Sequence, residues 1–136
     1  MSEQTLILVK PDGVQRGLIG EILRRFEARG YEIAALKMLQ ATDELLAQHY
    51  EAHVDKPFYP EMAKYMKSGP VVAAIIEGDK VVEGVRTMCG VTEPTAAAPG
   101  TIRGDLGRSW ADGIYNLVHS SDGRESAQRE IGIWFA

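Results

Sequence analysis

The longest apolar run in the chain, Val71-Val72-Ala73-Ala74-Ile75-Ile76, has no polar face. A half-exposed strand alternates apolar with polar residues, so a run apolar on both faces belongs at the centre of a sheet. It is also far short of the ~20 residues that a membrane span requires. The chain therefore has to build a sheet around this segment. Leu6-Ile7-Leu8-Val9 reads as a second buried strand, stopped by the turn chemistry of Pro11-Asp12-Gly13. Tyr31 to Leu39, with apolar positions at Ile33, Ala35 and Leu39, reads as a third strand, and Tyr115 to His119 as the last.

Helical spacing separates these strands. Ile19, Ile22, Leu23 and Phe26 share one face of a helix that Gly30 ends. Thr42 or Asp43 can cap a helix holding Leu45, Leu46, His49 and Tyr50. Asp55 to Pro60 reads as a loop, and Met62, Tyr65 and Met66 as a short helix ended by Gly69. Glu77-Gly78-Asp79 reads as a turn, with Asp79 capping a helix that carries Val81, Val82, Val85 and Met88. From Gly90 to Gly113, recurrent glycine with Pro94 and Pro99 predicts a long irregular segment, the kind that is functional or mobile. Asp122-Gly123-Arg124-Glu125 has capping-box spacing before a final helix with Ala127 and Ile131 on one face. Alternating strands and helices over 136 residues predict one α/β domain spanning 1–136. Two packings fit this order: a parallel doubly wound sheet, or an antiparallel ferredoxin-like sheet with helices on one face.

Composition narrows the function. With 45% apolar and 25% charged residues the chain is not of the disordered class. A formal charge of −4 disfavours sequence-independent binding of nucleic acid, which needs a basic surplus. The single cysteine, Cys89, cannot form an internal disulfide and reads as core filler compatible with a reducing compartment. The polar start, Met1 to Gln4, lacks the order of a signal peptide, so a soluble cytoplasmic protein with no membrane association is expected. Neither a P-loop nor a Gly-x-Gly-x-x-Gly fingerprint is present, and no Cys/His cluster has zinc spacing.

Several residues could nevertheless build an anion site. His119 ends a strand just before a helix start, where an imidazole meets the free N–H groups of a helix N-terminus. Lys10 ends an apolar strand that anchors its stem, so its ammonium can project from the sheet rim. Arg86 and Arg103 flank the glycine-rich segment and can clamp phosphate oxygens. Phe58, in a proline-flanked loop, could offer a flat platform to a base. His49 and His53 read as surface or capping histidines. Each residue also has a structural alternative, such as a snorkelling lysine, a solvated arginine or a core aromatic. Together they describe a phosphate site with one nucleophilic imidazole.

Asn116-Leu117-Val118-His119-Ser120-Ser121-Asp122 resembles the active-site signature of nucleoside diphosphate kinases, Asn-x-x-His-Gly/Ala-Ser-Asp. Lys10 to Gly17, Ser68 to Ala73, Pro99 to Asp105 and Glu125 to Ile131 are similar to further blocks of that family, in the same order. The resemblance implies a ferredoxin-like sandwich with a four-stranded antiparallel sheet. It implies transfer of the γ-phosphate of a nucleoside triphosphate to a nucleoside diphosphate, maintaining NTP and dNTP pools. The route would be ping-pong through a phosphohistidine at His119. Glu130 would orient the imidazole. Lys10, Arg86, Thr92 and Arg103 would contact phosphates and Asn116 the ribose. Tyr50 and Ser121 would surround the transferred group, and Phe58 would stack on the base. Mg²⁺ would be held mainly by the nucleotide phosphates rather than by a protein cage. A homo-oligomer, tetramer or hexamer, is implied as well.

The chain departs from the pattern at three places. Ser120 and Gly123 replace residues that are usually glycine or alanine and serine. The segment between Arg103 and His119 is about three residues longer than the commonest spacing, which predicts a bulge over the nucleotide. A regulatory module on the same fold would bind nucleotides without exchanging phosphate between them.

Overall fold

In the computed structural model, which describes residues 2–136, the chain runs β1 (Ser2–Val9), α1 (Pro11–Gln15), α2 (Ile19–Ala28), β2 (Glu32–Leu39), α3 (Asp43–His49), α4 (Tyr59–Met66), β3 (Val71–Asp79), α5 (Val81–Cys89), α6 (Ile102–Leu106), β4 (Arg108–Trp110), β5 (Gly113–Tyr115), β6 (Val118–Ser120) and α7 (Arg124–Trp134). Met1, the first residue of the expected domain span, lies outside the described residues. The main sheet has the order β2-β3-β1-β6 with every neighbour antiparallel. This is the ferredoxin-like arrangement; the parallel alternative is excluded.

The two apolar runs lie side by side at the sheet centre, with Leu6 opposite Ile75, Ile7 opposite Ala74, Leu8 opposite Ala73 and Val9 opposite Val72. Successive side chains of a strand point to opposite faces, so each strand feeds two cores. Ile7, Val9, Val72, Ala74 and Ile76 pack with Ile22 and Phe26 of α2 and Val81, Val85 and Cys89 of α5. Leu6, Leu8, Val71 and Ala73 pack with Leu46 of α3, Met66 of α4 and Trp134 of α7. Helices on one face, the arrangement expected of an antiparallel sheet, are thus replaced by helices on both. The cause is the double-faced apolarity of β1 and β3, because each fully buried Val, Leu or Ile contributes roughly 1.5–3 kcal/mol.

Local chemistry explains the other departures. Pro11 supplies a helix-ready φ at the first turn, so Pro11-Asp12-Gly13 opens α1 rather than a simple turn. Gly78 and Asp79 stay in β3, opposite Glu3 and Ser2. The chain turns instead at Lys80, with φ 56, and Asp79 is not the cap of α5. The segment from Gly90 to Gly113 is only partly irregular, since it holds α6 and the start of a β4–β5 hairpin. Tyr115 belongs to that hairpin, which leaves β6 with Val118 to Ser120 alone. The cap of α7 is Gly123, one residue later than the Asp122 expected, and it has no side-chain cap.

Between β5 and β6 the Val118 N–H donates to the Asn116 carbonyl at 2.7 Å, closing a three-residue γ-turn around Leu117. Leu117 has φ 67, a conformation that costs on the order of 1–3 kcal/mol for a side chain of this kind. Two contacts hold it there. Leu117 is fully buried, and its carbonyl accepts from the Lys10 N–H at 2.7 Å. The turn brings Asn116, Lys10 and His119 to one end of the sheet.

Candidate active site

The register that sets His119 opposite Leu8 turns its ring to the face covered by α3 and α7. There His119 Nε2 lies 2.8 Å from Glu130 Oε1 of α7. The Ser121 hydroxyl donates to the same oxygen at 2.6 Å. Burial alone would raise the Glu130 carboxyl, but the His119 hydrogen bond and charge, followed by the Ser121 bond, hold it below the usual carboxylate range. An ionised carboxylate only accepts, so in the neutral His119 ring the proton sits on Nε2 and the Nδ1 lone pair is free.

A cavity of about 1040 Å³ opens beside this ring. Lys10, Tyr50, Arg86, Thr92, Arg103, Asn116, His119 and Glu130 all line it. Lys10 Nζ donates to Asn116 Oδ1 at 2.9 Å. Burial, reinforced by the nearby Arg103 charge, lowers the Lys10 ammonium to about 8. Arg103 is a buried clamp rather than a free cation. Its Nε, Nη1 and Nη2 donate to the carbonyls of Asn116, Gly90 and Val118 at 3.2, 2.6 and 2.7 Å. Five N–H donors are available on a guanidinium, so part of its capacity remains for a ligand. Arg86 and Thr92 stand exposed on the wall, and the Thr92 carbonyl accepts from Asn116 Nδ2 at 3.2 Å. Burial, aided by the Glu130 charge, pushes the Tyr50 phenol up to about 12, so it stays a donor.

Two expected residues are not on the cavity wall. Ser121 is fully buried behind Glu130 and acts on the carboxylate. Phe58 is 51% exposed outside the lining, its ring tilted against His53 at 5.7 Å. The longer segment also differs from expectation. Residues 106–115 line no part of the cavity; β4 and β5 fold on each other, with the Arg108 guanidinium 4.2 Å from the Trp110 ring and 5.2 Å from that of Tyr115. Ser120 also lines the cavity but is largely buried. Neighbouring strand residues face opposite ways, and the Ser120 hydroxyl hydrogen-bonds Cys89, whose thiol is pushed up by burial.

His49 is not a surface or capping histidine. Its ring is 4% exposed and stands 4.6 Å from that of His119, and Trp134 Nε1–H donates to its Nδ1 at 2.9 Å. The available signal was the i, i+4 spacing that puts Glu130 and Trp134 on one face of a helix. Among the described residues, His49, His119 and Glu130 form a cluster whose ligand atoms lie within 4.8 Å of one another. Two imidazoles and one carboxylate do not match the all-oxygen preference of Mg²⁺. No helix among the described residues is long and apolar enough to cross a membrane.

A sequence model of the family described as nucleoside diphosphate kinase matches residues 3–136. The chain is 54% identical over 136 residues to a nucleoside diphosphate kinase of Nocardia farcinica, covering 99% of this chain and 96% of that one. It is 54% identical over 134 residues to one from Saccharomyces cerevisiae, covering 98% and 86%. A halophilic nucleoside diphosphate kinase from Halobacterium salinarum, solved in complex with CDP, superposes with a TM-score of 0.92 at 42% identity, covering 99% and 88%. The enzyme from Borrelia burgdorferi, solved as a transition-state mimic with bound vanadate and ADP, gives 0.89 at 39% identity, covering 99% and 88%.

Proposed function

The chain belongs to the nucleoside diphosphate kinase family, and from that premise we propose that His119 is the nucleophile of its reaction. The activity is transfer of the γ-phosphate of a nucleoside triphosphate to a nucleoside diphosphate, by a ping-pong route through phosphohistidine. The observation that carries the assignment is the His119 ring itself, with one nitrogen bound to Glu130 and the other bearing a lone pair beside a cavity rich in cations.

In the first half-reaction Nδ1 attacks the γ-phosphorus. The P–Nδ1 bond forms, the bond to the β–γ bridging oxygen breaks, and the diphosphate leaves with that electron pair. The ring keeps its Nε2 proton and gains positive charge, which the Glu130 carboxylate stabilises. In the second half a terminal oxygen of another nucleoside diphosphate attacks the same phosphorus, and Nδ1 recovers its lone pair. Phosphoryl transfer asks the protein mainly to position groups and neutralise oxygen charge. Lys10, Arg86 and Arg103 serve the second need, with Thr92 and the Tyr50 hydroxyl as donors. Asn116, bonded to Lys10, would contact the ribose. Phe58 lies outside the cavity lining, and stacking on a base would require the base to project past the rim.

The family's exchange uses a divalent cation, which we propose to be Mg²⁺ carried in on the nucleotide phosphates. Bound there it would neutralise and orient phosphate oxygens, with the protein supplying the imidazole and the cationic walls. We further propose a single domain over residues 1–136, a homo-oligomer that is a tetramer or a hexamer, and a cytoplasmic location. The first is supported by the two cores sharing one sheet. Association is supported by Leu36 and Met38, 52% and 58% exposed on the edge strand β2. The buried, reduced Cys89 accords with a reducing compartment.

Incubation with γ-labelled ATP should give an acid-labile, base-stable phosphoprotein that unlabelled GDP discharges. His119→Ala should take no label. Folded wild-type protein that binds ADP yet takes none would instead be the regulatory module.

A further inference from the structure

His49 is not used in the chemistry above, although it touches the nucleophile. The indole N–H of Trp134 can only donate, and it donates to His49 Nδ1 at 2.9 Å in a buried contact. A neutral imidazole that accepts at Nδ1 must carry its proton on Nε2. The tautomer of His49 is therefore set from α7, the helix that also supplies Glu130. The His49 ring meets His119 edge-to-face, with planes at 80°, and meets Tyr50 in the same manner with centroids 4.6 Å apart.

A cation between His49, His119 and Glu130 is the competing use of this cluster. The hydrogen bond from Trp134 argues against it. With Nδ1 accepting from the indole and Nε2 protonated, His49 has no lone pair left to ligate a metal. The arrangement keeps a proton in place instead.

We propose that His49 is a positioning residue: locked by Trp134 as the Nε2–H tautomer, it fixes the His119 ring in the orientation that joins Nε2 to Glu130 and leaves Nδ1 to the cavity. The inference rests on His119 being the nucleophile. The surroundings support a neutral His49. Burial is the largest influence and lowers it to about 3, with His119, Arg129 and Lys10 acting in the same sense and Glu130 opposing them. The Tyr50 phenol, raised to about 12, adds no charge. A neutral neighbour avoids repulsion with the positive charge that the His119 ring gains during transfer.

The test combines a tautomer measurement with single-turnover kinetics. Nitrogen-15 NMR of histidine-labelled full-length protein should show His49 protonated at Nε2 and not titrating between pH 8 and pH 5. Trp134→Phe should remove that lock. With γ-labelled ATP, His49→Phe keeps an aromatic ring but neither accepts nor donates a hydrogen bond. It should slow phosphorylation at saturating ATP by about tenfold to a hundredfold, with ATP affinity little changed, because small misplacements of a reacting group cost that much. His49→Gln, which can accept from the indole and still donate, should recover part of the rate. A His49 signal that titrates near neutrality or carries its proton on Nδ1 overturns the proposal, as does His49→Phe labelling at the wild-type rate. If His49→Phe does not fold, the wild-type and Trp134→Phe spectra decide. Absence of label on wild-type protein would refute the nucleophile itself, a result separate from either.

Discussion

Lys10 gives the ligand-free protein and its complex opposite responses to pH. Its folded value of about 8 lies below the ordinary 10.5, because burial and then Arg103 disfavour the ammonium. Between those values the unfolded chain binds more protons than the native one, so stability of the ligand-free protein should rise with pH across that window. If Lys10 contacts phosphate as proposed, binding needs the ammonium and should weaken over the same window. The expected result is an alkaline limb in kcat/KM near pH 8, with the limb in kcat displaced upward because bound phosphate favours the charged form. Lys10→Arg should carry the limb out of range while lowering activity at neutral pH, since a planar fork does not replace a point charge held by Asn116. A flat kcat/KM profile between pH 7 and pH 9.5 would contradict this. Lys10 was legible in the sequence because its own strand anchors it. His49 was not, because the group that gives it meaning, Trp134, lies 85 residues away in the chain.

The last helix lacks a cap that its geometry would accept. Gly123 sits at the N-cap of α7 with φ −178 and ψ 177, an extended conformation open to any residue, and a Cβ there would meet nothing within 4 Å. Gly123→Ser should therefore stabilise the protein by about 0.5 kcal/mol in urea unfolding, through a hydroxyl that accepts from a first-turn N–H. Between two other helices the Tyr65 hydroxyl of α4 donates to Asp12 Oδ1 of α1. Tyr65→Phe should cost about 1–3 kcal/mol, because it strips a partner from a buried carboxyl. Burial raises that carboxyl above its ordinary 3.8, so the native state binds its proton more tightly than the unfolded chain does, and its contribution should fall as pH rises through the window above 3.8. The loss in Tyr65→Phe should accordingly be larger at pH 7 than at pH 4. The helical spacing of α2 and the uninterrupted apolar run of β3 could be read from the chain directly. The ends of β5 and β6 could not. A γ-turn at Leu117 breaks one apparent strand into two, and its positive φ is stabilised by burial and by the Lys10 N–H rather than by anything in the local sequence.

At the scale of the whole molecule, β1 is common to both cores: Ile7 belongs to the one under α2 and α5, Leu8 to the one under α3, α4 and α7. Neither layer of helices can leave without exposing one face of the same strand, so the two cores should unfold together. Trp134 is buried in the second core, while Trp110 is 62% exposed. In a Trp110→Phe background the remaining indole reports on one core alone, whereas far-UV circular dichroism reports on all the helices. The two signals should trace a single urea transition with one midpoint. Ile7→Ala and Leu8→Ala should each lower stability by about 2–5 kcal/mol and move both signals equally, although the residues lie on opposite faces. The proposed homo-oligomer would add a signature of its own. If Leu36 and Met38 are covered in an assembly, the midpoint should rise with protein concentration, and charged substitution of Met38 should abolish that rise. Separate transitions for indole and dichroism would mean that the cores are independent and that the single-domain reading is wrong. A concentration-independent midpoint would argue that the edge strand stays uncovered.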